Sequence, residues 1–189
     1  MRRVIRRGIV ALAGGVLALT LAGPAGAAPG PAAAAAGPGC AWSGVWGQLR
    51  VNSGADKYMT VEGDPAGNNA QHIVLYSYLY APVQQWQIVP TGDGYCYLRS
   101  ATSWRVLGIA DGSTQNSAHA MLWDQRTNDD QKWYTISGGA GASVKFVNKK
   151  ADTGASKKCL GVAGGNFSNL AHLVLWTCSG ANDQKWTMF

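Results

Sequence analysis

The chain has 189 residues, with 16 Lys and Arg against 10 Asp and Glu and a formal net charge of +6. Four of the basic residues, Arg2, Arg3, Arg6 and Arg7, crowd the first seven positions; without them the balance is 12 to 10, a net of +2. That balance gives no electrostatic reason to expect a nucleic-acid partner, and the length beyond the amino-terminal segment is that of about one domain.

The amino-terminal segment reads as a leader rather than as fold. Residues 8–22 are apolar and uncharged behind the arginines, and Ala25-Gly26-Ala27 offers small residues at a cleavage spacing, so 1–27 is expected to be a secretory signal peptide. The apolar run, about 15 residues, is short of the roughly 20 that a spanning helix needs, so no membrane span is expected in the mature chain. Arg6-Arg7 also permits twin-arginine export. Residues 28–45 are Ala/Pro/Gly-rich at their start and read as a leader or linker, leaving 46–189 as the folded domain.

From residue 46 onward the chain is punctuated by short strand-like runs, and no stretch sustains a helical period for ten residues. Val106-Leu107-Gly108-Ile109 and Leu173-Val174-Leu175-Trp176 read as strands. Gly63-Asp64-Pro65, Asp111-Gly112-Ser113 and Gly164-Gly165-Asn166 read as turns. The organising feature is a pattern written three times: Gln84-Gln85-Trp86, Gln131-Lys132-Trp133 and Gln184-Lys185-Trp186. Ten residues before each tryptophan stands an aromatic, Tyr76, Trp123 or Trp176, and each of these follows a leucine, Leu75, Leu122 or Leu175. From Leu107 to Trp133 is 26 residues (133 − 107), from Leu160 to Trp186 is 26 (186 − 160), and from Met59 to Trp86 is 27 (86 − 59). A repeat at constant period fixes architecture before any single motif does. It predicts an all-β fold of about twelve strands in three groups of four, with repeats near 46–91, 92–138 and 139–189. First strands end at Asn52, Ser100 and Asn148, and each Q-x-W tryptophan begins a fourth strand. The third repeat carries an extra polar loop from Lys149 to Lys158, expected on the surface.

Four cysteines, Cys40, Cys96, Cys159 and Cys178, permit two disulfides in three connectivities. Cys159 and Cys178 flank one hairpin-sized segment and are paired here; Cys40 with Cys96 then follows and staples the amino-terminal segment onto the second repeat. No C-x-x-C spacing exists, and no metal site or cofactor is expected.

Three Q-x-W endings at matched spacing, each with its upstream aromatic, resemble the ricin B-type β-trefoil lectin domain, also called carbohydrate-binding module family 13. Asn52-Ser53-Gly54 and Lys57-Tyr58-Met59 look like that family's repeat opening. Lys158-Cys159-Leu160 and Leu175-Trp176-Thr177-Cys178 look like its disulfide-bearing hairpin. The resemblance implies a β-trefoil that binds polysaccharide or glycan; with the signal peptide, the expectation is a secreted, non-catalytic protein, and a monomer is expected. It also implies an aromatic platform at the end of each third strand, on Tyr76, Trp123 and Trp176. Alternation supports the outward direction of these rings, because the leucine beside each is the inward residue.

The polar half of the family's site is altered. Where the family places an aspartate after the apolar residue of the second strand, this chain has Thr60, Gly108 and Gly161. Before the Q-x-W glutamines stand Val83, Asp130 and Asp183. Repeats two and three therefore keep a platform and one carboxylate, with Asp130-Gln131 and Asp183-Gln184 as candidate hydroxyl contacts. Repeat one keeps the platform alone. All three histidines, His72, His119 and His172, fall four residues before a platform and three after an asparagine, Asn69, Asn116 or Asn169. Their phase is outward. His119 and His172 are expected to border their own pockets, and binding would then vary between about pH 5 and 8. A shared three-histidine metal site is not expected, since threefold-related surface positions should stand too far apart. No Ser-His-Asp or paired-carboxylate constellation points to an enzyme. The alternative is a β-trefoil inhibitor or protein-interaction module working through the Lys149 to Lys158 loop.

Overall fold

The structure, a computed structural model, describes residues 39–63, 68–139 and 142–189. The signal-peptide reading, residues 28–38 of the leader, and Asp64 and Pro65 of the first turn lie outside the described residues.

The fold is all-β, a β-trefoil. Its strands are β1 (Trp46–Gly47), β2 (Leu49–Val51), β3 (Lys57–Val61), β4 (Gln71–Ser77), β5 (Trp86–Pro90), β6 (Cys96–Ser100), β7 (Val106–Ile109), β8 (Ala120–Trp123), β9 (Trp133–Ser137), β10 (Val144–Asn148), β11 (Lys158–Val162), β12 (Leu173–Thr177) and β13 (Trp186–Met188). Twelve of them are the three expected groups of four, and each Q-x-W tryptophan opens a fourth strand. First and fourth strands pair in a ring, β13 with β2, β5 with β6 and β9 with β10. Second and third strands form the hairpins β3–β4, β7–β8 and β11–β12.

The repeat spacing has a direct physical origin. Each Q-x-W tryptophan is fully buried and donates its indole N–H to a second-strand carbonyl: Trp86 to Met59 at 3.0 Å, Trp133 to Leu107 at 3.1 Å and Trp186 to Leu160 at 3.1 Å. The 26- or 27-residue interval is thus the chain length closed by one buried hydrogen bond. Leu75, Leu122 and Leu175 are fully buried beside these rings, as alternation requires.

The three third strands meet at the pseudo-threefold axis. His72 pairs with Met121, Val74 with His172, and His119 with Val174. A cycle of main-chain bonds closes the ring: Ala70 N–H to Leu122 O (2.9 Å), Ser117 N–H to Leu175 O (2.9 Å) and Leu170 N–H to Leu75 O (2.8 Å). Ala70, Ser117 and Leu170 all sit in the left-handed region, at φ 64°, 67° and 67°. The asparagine before each reaches into a neighbouring repeat. Asn69 Oδ1 accepts from Asp124 N–H, Asn116 Oδ1 from Thr177 N–H and Asn169 Oδ1 from Ser77 N–H, at 2.7–2.9 Å. A short polar side chain tolerates this local geometry and supplies the acceptor, which accounts for the asparagine recurring ahead of each histidine.

The domain begins earlier than the sequence indicates. Residues 39–45, read as the end of the leader, are fastened to it. Gly39 N–H bonds Gly94 O, Thr135 N–H bonds Gly39 O, and Gly44 N–H bonds Ile88 O. Trp42 packs against Phe146 with ring centroids 6.4 Å apart, and β1 adds a strand beside β5. The disulfide Cys40–Cys96 locks this segment, and Cys159–Cys178 ties the third hairpin, both as expected. The polar insertion lies between β10 and β11, with Lys158 already inside β11.

Candidate functional site

Three related clefts surround the three platform aromatics. One of about 300 Å³ is walled by Trp123, Ile109, Asp111, Asp130 and Lys150. A second of about 340 Å³ is walled by Trp176, Val162, Gly164, Gly165 and Asp183. The third, smaller at about 140 Å³, lies between Tyr76, Thr60, Val83, Leu79 and Leu170. Trp176 is 43% exposed, and Trp123 and Tyr76 are half-buried, so none of the three rings is sealed in the core. The first-repeat cleft is lined by Val83 where the other two have Asp130 or Asp183, which makes it the most apolar at that wall.

Gln131 lines the Trp123 cleft and Gln184 stands behind the Trp176 cleft, but both amides are already committed to the main chain. Gln131 is 3% exposed and Gln184 1%. Gln131 Nε2 donates to Asp124 O at 3.0 Å and its Oε1 accepts from Arg126 N–H at 2.7 Å. Gln184 makes the equivalent pair with Thr177 O (3.0 Å) and Ser179 N–H (2.7 Å), and Gln84 with Ser77 O (2.9 Å) and Leu79 N–H (2.8 Å). Each amide latches the turn that follows the third strand, and so holds the platform's own loop in place.

Asp130 and Asp183 face the two glycines at which the family resemblance implies an aspartate. A Cβ built on Gly108 would lie 3.6 Å from Asp130 Oδ2, and one on Gly161 would lie 3.2 Å from Asp183 Oδ2. A carboxylate therefore sits close to the place that a second-strand aspartate would occupy, supplied instead from the loop before the fourth strand. Only glycine leaves that space open, since the same Cβ would also stand 3.1 Å from Gln131 Cγ or 3.0 Å from Gln184 Cγ. Burial pushes the Asp183 carboxyl above the ordinary aspartate value, against the opposing pull of its own and the Val162 backbone N–H groups. Among the described residues Asp183 is the one charged side chain lining its cleft, whereas Asp130 shares its cleft with Asp111, Arg126 and Lys150.

The histidines correct the sequence reading. They do not line the three clefts. Instead His72, His119 and His172 meet one another, with ring centroids 4.6–4.9 Å apart and edge-on contacts. One ring nitrogen from each lies within 4.8 Å of those of the other two. Their outward phase is as expected, but third strands that converge on the axis make "outward" mean "together" at this end. Four residues further on, at roughly 3.3 Å each, the strands have carried the platforms apart. Burial lowers the His119 pKa, and the His172 and His72 rings lower it further.

Aromatic residues outside the repeat pattern are also on the surface. Trp104 is 64% exposed in the left-handed region (φ 62°) and contacts Trp46 edge-on at 5.9 Å. Nothing in the threefold spacing marks this pair, because neither position recurs.

A family model described as ricin-type beta-trefoil lectin domain-like matches residues 43–123. Among solved structures, the designed threefold-symmetric protein ThreeFoil is 27% identical with a TM-score of 0.68; the match covers 76% of this chain and 96% of that one. A ricin B-like lectin of Macrolepiota procera, in complex with lactose, is 22% identical with a TM-score of 0.63, covering 77% of this chain and 95% of the lectin. An exo-beta-1,3-galactanase from Clostridium thermocellum is 23% identical with a TM-score of 0.66, but the match covers 76% of this chain and only 29% of the enzyme. The resemblance to ricin B-type β-trefoil lectin domains is thus met by both family model and fold; the narrower assignment to carbohydrate-binding module family 13 is finer than these matches reach.

Proposed function

We propose that this chain is a secreted, non-catalytic carbohydrate-binding protein that stacks neutral sugars on Trp123 and Trp176, and more weakly on Tyr76. The observation that carries the reading is the recurrence of one cleft, built on one outward ring, at the same place in all three repeats. A flat aromatic face suits the C–H side of a pyranose, and a few fixed polar groups read its hydroxyls. Asp130 and Asp183 are the hydroxyl acceptors. Their negative charge favours neutral over acidic saccharides, above all in the third repeat. The ricin-type lectin-like family match and the lactose-bound fungal lectin support a saccharide as the ligand class. Two disulfides are in keeping with an oxidising, extracellular destination.

A shallow cleft with one ring and one acid binds at about the millimolar level, near −4 kcal/mol. Clefts on one rigid body can engage a polymer together, and avidity then adds a factor of roughly 10² to 10⁴. The competing reading, a protein-binding module using the lysine loop, draws little from three of that loop's four lysines, and the fourth, Lys150, lines the Trp123 cleft. Lys149 is paired with Asp129 at 3.0 Å, Lys157 with Asp152 at 2.8 Å, and Lys158 donates to Asn116 Oδ1 at 2.7 Å.

The test is retention on a panel of insoluble polysaccharides by the intact protein, Trp123→Ala, Trp176→Ala and the double variant. Each single change should weaken retention, and the double change should reduce it by at least tenfold. Retention untouched by the double substitution would remove the platforms from the reading.

A further inference from the structure

We infer that His72, His119 and His172 form a three-imidazole site for a divalent transition ion of borderline softness, with zinc as the reference ion, on the axis where the repeats meet.

Three independent features of the axis point there. The first is convergence. One nitrogen of each ring lies within 4.8 Å of the other two. An equilateral triangle of that edge has its centre about 2.8 Å from each corner, and inward shifts of about 0.7 Å per ring bring this to the 2.0–2.1 Å of a zinc–imidazole bond. The second is that the main chain sets the convergence, not the side chains. Each histidine is paired across the axis with a residue of a neighbouring third strand, Met121, Val174 or Val74. Each histidine carbonyl also accepts a main-chain N–H within its own repeat, from Glu62, Ala110 or Ala163, at 2.9–3.0 Å. The third is an unmet bonding capacity repeated three times. The Nδ1 atoms of His72, His119 and His172 are all buried, and none has a hydrogen-bond partner among the described residues. Buried polar atoms without partners are rare in folded proteins, and here there is one on each ring of a single cluster, a bonding capacity that the described residues leave unmet.

The donor set selects the ion. The cluster consists of imidazoles with no carboxylate among them, which suits zinc, nickel, copper or cobalt and disfavours calcium and magnesium. Three protein ligands leave a fourth position for water or a small anion, as in open zinc sites. The ligands come one from each repeat, 47 (119 − 72) and 53 (172 − 119) residues apart. A bound ion would therefore cross-link the three hairpins at the end of the trefoil where β4 joins β8 and β12. Edge-on packing of neutral rings is the rival explanation of the cluster, and it requires no ion.

The experiment uses the full chain without a histidine tag, stripped with a chelator and titrated with Co²⁺ as a spectroscopic probe and then with Zn²⁺. The expected result is one Co²⁺ per chain with the visible absorption of a nitrogen-ligated site, displaced by one Zn²⁺. Zinc at a hundredfold excess over its dissociation constant should raise the folded-to-unfolded ratio about a hundredfold. Loss even of outer-sphere partners costs 10–100-fold in metal affinity, so His119→Gln or His172→Gln should lose roughly a hundredfold or more. No stoichiometric uptake of either ion by the intact chain overturns the inference in favour of ring packing. Uptake that persists in the His72→Gln/His119→Gln/His172→Gln variant overturns it as well, by placing the ion elsewhere.

Discussion

Replacing Gln131 with leucine separates a scaffold role from a contact role at the residue most easily mistaken for a sugar ligand. Leucine keeps nearly the same volume but removes both amide bonds, leaving Asp124 O and Arg126 N–H without their partner at 3.0 and 2.7 Å. Each lost bond costs about 1 kcal/mol net, and an orphaned buried group costs about 1–3 kcal/mol. Asp124 and Arg126 are themselves exposed, so water recovers part of the loss and the total should be about 2–3 kcal/mol. For a domain of this size that corresponds to a fall in Tm of roughly 5–10 °C. The fold supplies its own replicates, because Gln84 and Gln184 make the same pair of bonds. Gln84→Leu should cost somewhat more, since Gln84 Nε2 also donates to Thr60 Oγ1 at 3.0 Å. The assay is equilibrium denaturation with the disulfides intact, on all three single variants. A cost below about 0.5 kcal/mol at all three sites, combined with loss of saccharide binding, would refute the latch and return the glutamines to the ligand surface.

The remaining expectations concern charge, cross-links and the off-repeat aromatics. Burial holds the Asp183 proton more tightly in the folded than in the unfolded chain. Ionised Asp183 therefore costs stability, a cost present above its folded pKa and absent below the unfolded value near 3.8. Asp183→Asn should accordingly be more stable than the parent at pH 7 and equal to it at pH 3, while binding at the third-repeat cleft weakens; thermal melts and titration across that range check both. Replacing Cys40 and Cys96 together by serine opens a closure of 56 residues and should cost about 4 kcal/mol, against about 3 kcal/mol for the 19-residue closure of Cys159 and Cys178, read by chemical denaturation. Trp104→Ala should leave stability within about 0.5 kcal/mol, as expected for an exposed ring, and should leave polysaccharide retention unchanged if the repeat clefts account for binding.

Much of this architecture was legible because it is periodic. The interval from Leu107 to Trp133 recurs from Leu160 to Trp186 because one buried indole–carbonyl bond closes both. Leucine beside aromatic gave the inward and outward faces of β4, β8 and β12 directly. The misreadings came where geometry between repeats mattered more than geometry within one. His72, His119 and His172 have the phase of surface residues, yet phase says nothing of distance, and the third strands converge at that end. Asp130 and Asp183 are visible in the sequence as loop carboxylates, but their position against Gly108 and Gly161 depends on how the loop before the fourth strand folds over the second strand. The repeat pattern cannot reach Trp46, Trp104 or the Cys40 segment, because each occurs once. Asn69, Asn116 and Asn169 were visible as a triplet, but their cross-repeat bonds to Asp124, Thr177 and Ser77 belong to the assembled trefoil.

The central claim, that the repeat aromatics are the saccharide surface, is tested most directly by following the tryptophan indole N–H signals by NMR as a soluble oligosaccharide from a retained polysaccharide is added. The signals of Trp123 and Trp176 should shift with saturation in the millimolar range, while those of Trp86, Trp133 and Trp186, buried and bonded to main-chain carbonyls, should stay fixed. Saturable binding that leaves Trp123 and Trp176 unmoved would contradict the account.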